Sequence, residues 1–140
     1  MIAAALALAA AAATPVTLFA CSLGSKRVEI TARGDAIAYR FGTDLSTELA
    51  FTEPARDGNV LWMVQRYSGW ERQLRLRRGA YSYTVYSLEG NAMTGASALS
   101  GLLVRRGEKV VADLRCRKHA TFSDYDYDSL PDDSADWTAL

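Results

Sequence analysis

An all-β domain is what this sequence predicts: a single antiparallel, meander-like barrel or sandwich of about eight short strands. Two observations carry that prediction. Apolar and polar residues alternate with a period of two on both sides of three glycine-containing turns, and turn signals recur at short, regular intervals. No segment shows helical periodicity, although the small-residue run 91–100 has room for a helical turn.

In chain order the strands are expected at 27–32, 36–41, 47–52, 59–65, 71–77, 80–88, 98–105 and 108–114. A two-residue turn around Gly34-Asp35 sets Ala32 opposite Ile37, Ile30 opposite Tyr39 and Val28 opposite Phe41, with Glu29 and Arg40 paired on the other face. Glu53 to Gly58 is a loop, and Gly90 to Gly95 a longer one. Around Arg78-Gly79 the same construction sets Leu76 opposite Tyr81 and Leu74 opposite Tyr83. It leaves Arg75 and Arg77 on the opposite face, where Arg75→Ala is expected to be nearly neutral. Around Arg106-Gly107 it sets Leu103 opposite Val110, Gly101 opposite Ala112 and Leu99 opposite Leu114. A one-residue slip would turn each apolar set to the wrong face.

Composition bounds the rest. The 140 residues hold 16 basic and 16 acidic side chains, so the net charge is zero, which fits one domain and argues against a dedicated DNA-binding protein. At 49% hydrophobic and 23% charged the chain is not a disordered tail, and two cysteines are too few for a disulfide-dense miniprotein.

Residues 1–20 read as a signal peptide. From Ile2 to Ala13 every residue is alanine, leucine or isoleucine, and polar sequence follows Cys21. No basic residue precedes Lys26, which departs from the usual leader, and the alternative is a retained anchor. The expected organisation is therefore a leader at 1–20, a β domain at 21–120 and an acidic tail at 121–140. Cys21 has two fates. Leu18-Phe19-Ala20-Cys21 is similar to a bacterial lipoprotein box, which would lipidate the cysteine and anchor the protein in the cell envelope. A Cys21–Cys116 disulfide would instead account for both cysteines of an exported chain. Both thiols free is the third option. Localisation is expected to be periplasmic or secreted, with membrane association only if Cys21 is lipidated.

Charge is uneven along the chain. Residues 60–120 carry a net +7, and the stretch after Lys118 carries six aspartates and no base. The tail is either solvated or laid across the basic surface. No catalytic residue, cofactor or metal is expected. His119 is the sole histidine and sits beside Arg117 and Lys118, and no nucleophile elbow, phosphate loop or zinc spacing occurs. Asp124-Tyr125-Asp126-Tyr127-Asp128 imitates half an EF-hand loop, but Ser129 stands where glycine is needed and Ala135 where a glutamate is needed. Trp62, Arg66, Tyr67, Trp70 and Arg72 surround a turn at Ser68-Gly69 and serve either as core aromatics or as a surface that stacks sugars or grips acidic head groups. The candidate ligand-binding residues are Arg75, Arg77, Arg66, Tyr67 and Trp70. Their expected partner is an acidic envelope ligand or another envelope protein, not nucleic acid.

Three stretches carry a resemblance. Phe19-Ala20-Cys21 opens the body of the chain, Tyr83-Thr84-Val85-Tyr86-Ser87 lies in its second half, and Gly101 to Val111 leads into Cys116. The layout resembles the periplasmic C-type lysozyme inhibitor family, small eight-stranded β-barrels of the bacterial envelope. The resemblance implies a cysteine link from near the mature start to near the end, and two loops inserted into the lysozyme cleft. Those loops fall at Ser68-Gly69-Trp70-Glu71-Arg72 and Leu88-Glu89-Gly90-Asn91-Ala92. Arg72 stands where the family has tyrosine, and Glu89 where it has lysine. The function expected from the sequence is an exported, non-catalytic binding or structural protein of the bacterial envelope, with a lysozyme-inhibitor-like protein as the alternative.

Overall fold

The computed structural model describes residues 14–66 and 69–134. Nine strands run in chain order: β1 (Val16–Ser22), β2 (Arg27–Arg33), β3 (Ala36–Gly42), β4 (Thr47–Pro54), β5 (Val60–Arg66), β6 (Trp70–Arg78), β7 (Tyr81–Glu89), β8 (Leu99–Arg106) and β9 (Lys109–Arg115). They form two antiparallel meanders, β1-β2-β3-β4 and β5-β6-β7-β8-β9. The two sheets do not close into a barrel, so the architecture is a sandwich. Among the described residues the only helical element is one 3₁₀ turn, Tyr127–Ser129.

Alternation places one face of each sheet in a shared core. Val28, Ile30, Ile37 and Tyr39 meet Val60, Leu74, Leu76, Val85 and Leu102 in a single buried cluster. Eight strands match the expected ones to within two residues at each end. The ninth, β1, lies within the stretch read as leader. A bulge between Thr17 and Phe19 lets consecutive Leu18 and Phe19 both turn inward, each 1% exposed. The boundary drawn at residue 20 therefore falls inside a strand that contributes Leu18 and Phe19 to the core.

The first hairpin has the expected register, with Ala32–Ile37, Ile30–Tyr39, Val28–Phe41 and Glu29–Arg40 as partners. The other two differ. In all three hairpins a glycine occupies the first position of a two-residue turn, with φ of +55° at Gly34 and +58° at Gly79 and Gly107. The second and third turns are thus Gly79-Ala80 and Gly107-Glu108, one residue later than read from the sequence. In the β6–β7 hairpin this slides the partners by two, to Leu76–Tyr83 and Leu74–Val85, and the apolar face survives. In the β8–β9 hairpin a bulge at Val111 of β9, opposite Val104 and Arg105, adds one more residue. The partners become Leu102–Leu114 and Val104–Ala112, and Leu103 moves to the outer face. There it joins Tyr86 and Leu88 in a second buried cluster. Tyr86 lies across Gly101, where any Cβ would stand 2.6 Å from the Tyr86 hydroxyl and 2.3 Å from the Leu114 carbonyl oxygen. Its hydroxyl donates to Asp113 at 3.0 Å.

Cys21 and Cys116 form a disulfide with Cα atoms 5.6 Å apart, joining β1 of one sheet to the segment that leaves β9 of the other. That bond indicates an oxidising, non-cytoplasmic environment. Among the described residues no helix is long and apolar enough to cross a membrane. From Cys116 the chain runs back over the molecule. Phe122, Tyr125 and Tyr127 pack against the core, and Leu130 is 4% exposed within it. The Asp-Tyr-Asp-Tyr-Asp run is thus an amphipathic strap with aromatic rings inward. Beyond it Trp62 N–H donates to Pro131 and Asp133 N–H to Trp62, so the strap pairs briefly with β5.

Candidate functional site

Of the five residues proposed for ligand binding, the structure separates two from the rest. Arg75 Nη2 donates to the Asp133 carboxylate at 2.7 Å, and that carboxylate is 2% exposed. The strap has thus taken the charge that was assigned to a ligand. Arg77 donates to the Gly58 carbonyl in the β4–β5 loop. Both arginines are engaged within the fold. Arg75 and Arg77 do not join Arg66 and Trp70 in one strip. Tyr67 lies outside the described residues.

Arg66 and Trp70 do come together. They are direct partners at the closing end of the β5–β6 hairpin, and the Arg66 guanidinium carbon sits 5.1 Å from the Trp70 ring centroid. Arg72, two residues along β6 and therefore on the same face, lies 6.0 Å from the same ring. Cations over an indole are attracted by its quadrupole, by about 0.5–1 kcal/mol where exposed. Trp70 remains 39% exposed, whereas Trp62 is 6% exposed and stacks on Tyr127 with centroids 4.1 Å apart. The aromatic set thus divides. Trp62 belongs to the core, and Trp70 forms a lip.

The opposite wall comes from β7 and the loop after it. Glu89 is the partner of Trp70 across the sheet, and its carboxylate pairs with Arg72. The next loop holds its own shape: the Asn91 side chain accepts the Met93 N–H at 2.9 Å, and Asn91 N–H donates to Ala96 at 3.0 Å. Between the walls a cleft of about 260 Å³ is lined by Arg66, Gly69, Trp70, Glu89, Gly90 and Thr94, among others. On the far side of the Arg72–Glu89 pair a second cleft, of about 340 Å³, is lined by Phe122, Asp124, Tyr125 and Tyr127 of the strap. The arrangement offers a flat aromatic face, a guanidinium and a hydroxyl to a bound molecule. The β6–β7 register sets Glu89, which the family resemblance picks out, opposite Trp70, and the loop after it brings Thr94, which no sequence signal marks, to the same cleft.

The remaining sequence candidates lie elsewhere. His119 is exposed, with Nε2 3.5 Å from Ser87 Oγ. Among the described residues no three histidine, cysteine or carboxylate groups converge to hold a metal ion. Comparison with protein-family models, with curated proteins and with solved structures gives no match for this chain.

Proposed function

We propose that this chain is an exported, non-catalytic binding protein of the bacterial envelope, periplasmic or secreted, whose Trp70 cleft takes an acidic sugar or glycolipid head group. The observation that carries this reading is the exposed Trp70 ring with Arg66 over it and Arg72 beside it, opening onto a cleft. A pyranose ring stacks on indole through its C–H face, and a nearby guanidinium meets a carboxylate or phosphate on that sugar. A non-catalytic role is supported by how the cleft's polar groups are used: Glu89 pairs with Arg72, and Asn91 holds its own loop. Export is supported by the alanine-rich N-terminus and the disulfide. Cleavage ahead of Val16 would keep β1 whole. Lipidation of Cys21 and the Cys21–Cys116 bond exclude each other, because both consume one sulfur. Titrating glucuronic-acid oligosaccharides into the protein at low salt should quench tryptophan fluorescence saturably, and Trp70→Ala should abolish the change. No saturable quenching with acidic saccharides would remove this ligand class.

A second reading, a lysozyme-inhibitor-like protein, rests on a separate observation. The two segments corresponding to the family's inserting loops are neighbours here, with Trp70 opposite Glu89. The two residues that depart from the family pattern, Arg72 and Glu89, pair with each other. They neutralise the tip that would have to enter an enzyme cleft. An assay of lysozyme activity with micromolar purified protein decides it, and undiminished activity would eliminate this reading.

A further inference from the structure

A second polar cavity lies away from Trp70, where the disulfide joins the sheets. Arg117 N–H donates to Ser22 at 2.9 Å, and Ala120 N–H donates to the Ser100 hydroxyl at 2.9 Å. These bonds and the adjacent Cys21–Cys116 bridge hold residues 117–120 alongside the end of β1. The resulting cavity, about 490 Å³, has Arg27, Arg117, Lys118 and His119 in its wall and no carboxylate. It adjoins a larger cleft of about 680 Å³ between the β1–β2 and β3–β4 turns, which shares Ser22 and Arg27 and adds Lys26 and Asp44.

The charges here are poorly compensated. Lys26 pairs with Glu48, and Arg27 reaches Glu29 only at 3.8 Å. Among the described residues neither Arg117 nor Lys118 forms an ion pair. The Arg117 guanidinium lies beside the β1–β2 turn, with Nη2 3.6 Å from where a Cβ on Gly24 would stand. Arg117 and Lys118, adjacent and without an acidic partner among the described residues, repel each other, and a multivalent anion relieves that repulsion. Guanidinium forks match phosphate oxygens in pairs, and lysine adds a point charge. A single carboxylate carries too little charge for this set.

We propose that the cavity walled by Arg27, Arg117, Lys118 and His119 is a binding site for a phosphate-bearing ligand. The site does not depend on the Trp70 reading. It is assembled by the disulfide, because Arg27 lies on β2, Arg117 and Lys118 directly follow Cys116, and the bridge fixes one against the other.

The test uses the oxidised full-length domain at low salt, with two probes. Pyrophosphate, followed by amide chemical shifts, reports the soluble source. Flotation with vesicles of phosphatidylcholine and phosphatidic acid in about a three-to-one ratio, against phosphatidylcholine alone, reports the lipid source. Saturable shifts at residues 22–27 and 117–120 are expected with pyrophosphate, and vesicle capture as well if the phosphate belongs to a lipid. Arg117→Ala with Lys118→Ala should weaken either signal by about tenfold or more, and added salt should weaken it further. Both side chains are exposed, so the variant is expected to fold. Lys118→Glu alone, which shifts the net charge as far with one substitution, provides a second variant that should weaken binding in the same direction. Arg66→Ala, in the Trp70 cleft, should leave the shifts at residues 22–27 and 117–120 unchanged, because Arg66 does not line this cavity, and this separates failure here from failure of the sugar reading. Silence with both probes, or binding that survives the double substitution, overturns the proposal.

Discussion

Trp62 and Trp70 are eight positions apart on adjacent strands, and their surroundings give them different work. Trp62→Ala empties a packed site between Phe122 and Tyr127 and should cost about 3–5 kcal/mol in chemical denaturation. Trp70→Ala removes a lip and should cost under about 0.5 kcal/mol, while abolishing any ligand signal at the cleft. Arg75 shows the converse. Its removal leaves the Asp133 carboxylate buried without its guanidinium, so Arg75→Ala should cost about 1–3 kcal/mol rather than being neutral. The tyrosines set the alkaline limit. Burial pushes the Tyr127 hydroxyl up from the usual 10 to about 12. Tyr39 and Tyr86 are raised too, each mainly by burial, with Tyr83 and Asp113 adding repulsion. These phenols are neutral in both states below pH 10, and there their contribution is intact. Above it the unfolded phenols ionise while the folded ones resist, so the denaturation midpoint should fall from pH 10 to 12. Tyr127→Phe should make that fall shallower.

At the scale of the element, pairing with β7 decides which leucines of β8 face the core: Leu102 lies opposite Val85 and Leu103 opposite Thr84. Leu102 and Leu103 are each 1% exposed because adjacent residues enter clusters on opposite faces of one sheet. Leu102→Ala and Leu103→Ala should each cost about 2–5 kcal/mol. Val110→Ala, at a residue 47% exposed and opposite Arg105, should cost under about 0.5 kcal/mol. A large loss at Val110 would restore the register that pairs it with Leu103. Strand β1 provides a second test. Starting the chain at Thr14 should leave the thermal transition intact, whereas starting it at Cys21 removes Leu18 and Phe19 and should abolish cooperative unfolding, read by calorimetry.

For the molecule as a whole, two four- and five-stranded meanders are held by one core, one disulfide and one strap. The disulfide closes a loop with a sequence separation of 95, for which chain entropy gives about 4–5 kcal/mol. Replacing both cysteines with serine should lower stability by about that amount while preserving the β-sheet circular dichroism signal. The strap closes the other side, placing Phe122, Tyr127 and Leu130 against the core and Asp133 on Arg75. A chain ending at residue 120 should therefore expose Trp62 to fluorescence quenchers.

Period-two alternation and glycine turns were enough to determine strand identity from sequence alone, because side-chain alternation is a local consequence of the pleat. Parity also protected the Leu74 and Leu76 face from a two-residue slide. Alternation could not reveal the bulge at Val111 of β9, since an inserted residue is written in no local pattern. Nor could it recognise β1, whose apolar run reads equally as leader or as core strand. At the candidate site Trp70 and Arg66 were legible as neighbours across a short turn, but the contact of Trp70 with Glu89 depends on the β6–β7 register, and Thr94 belongs to the loop beyond it. Arg75 and Arg77 looked available because a local register reports only which face a side chain takes. Whether a strap or a loop carbonyl already occupies that face is a matter of long-range chain routing, and the tertiary structure alone decided it.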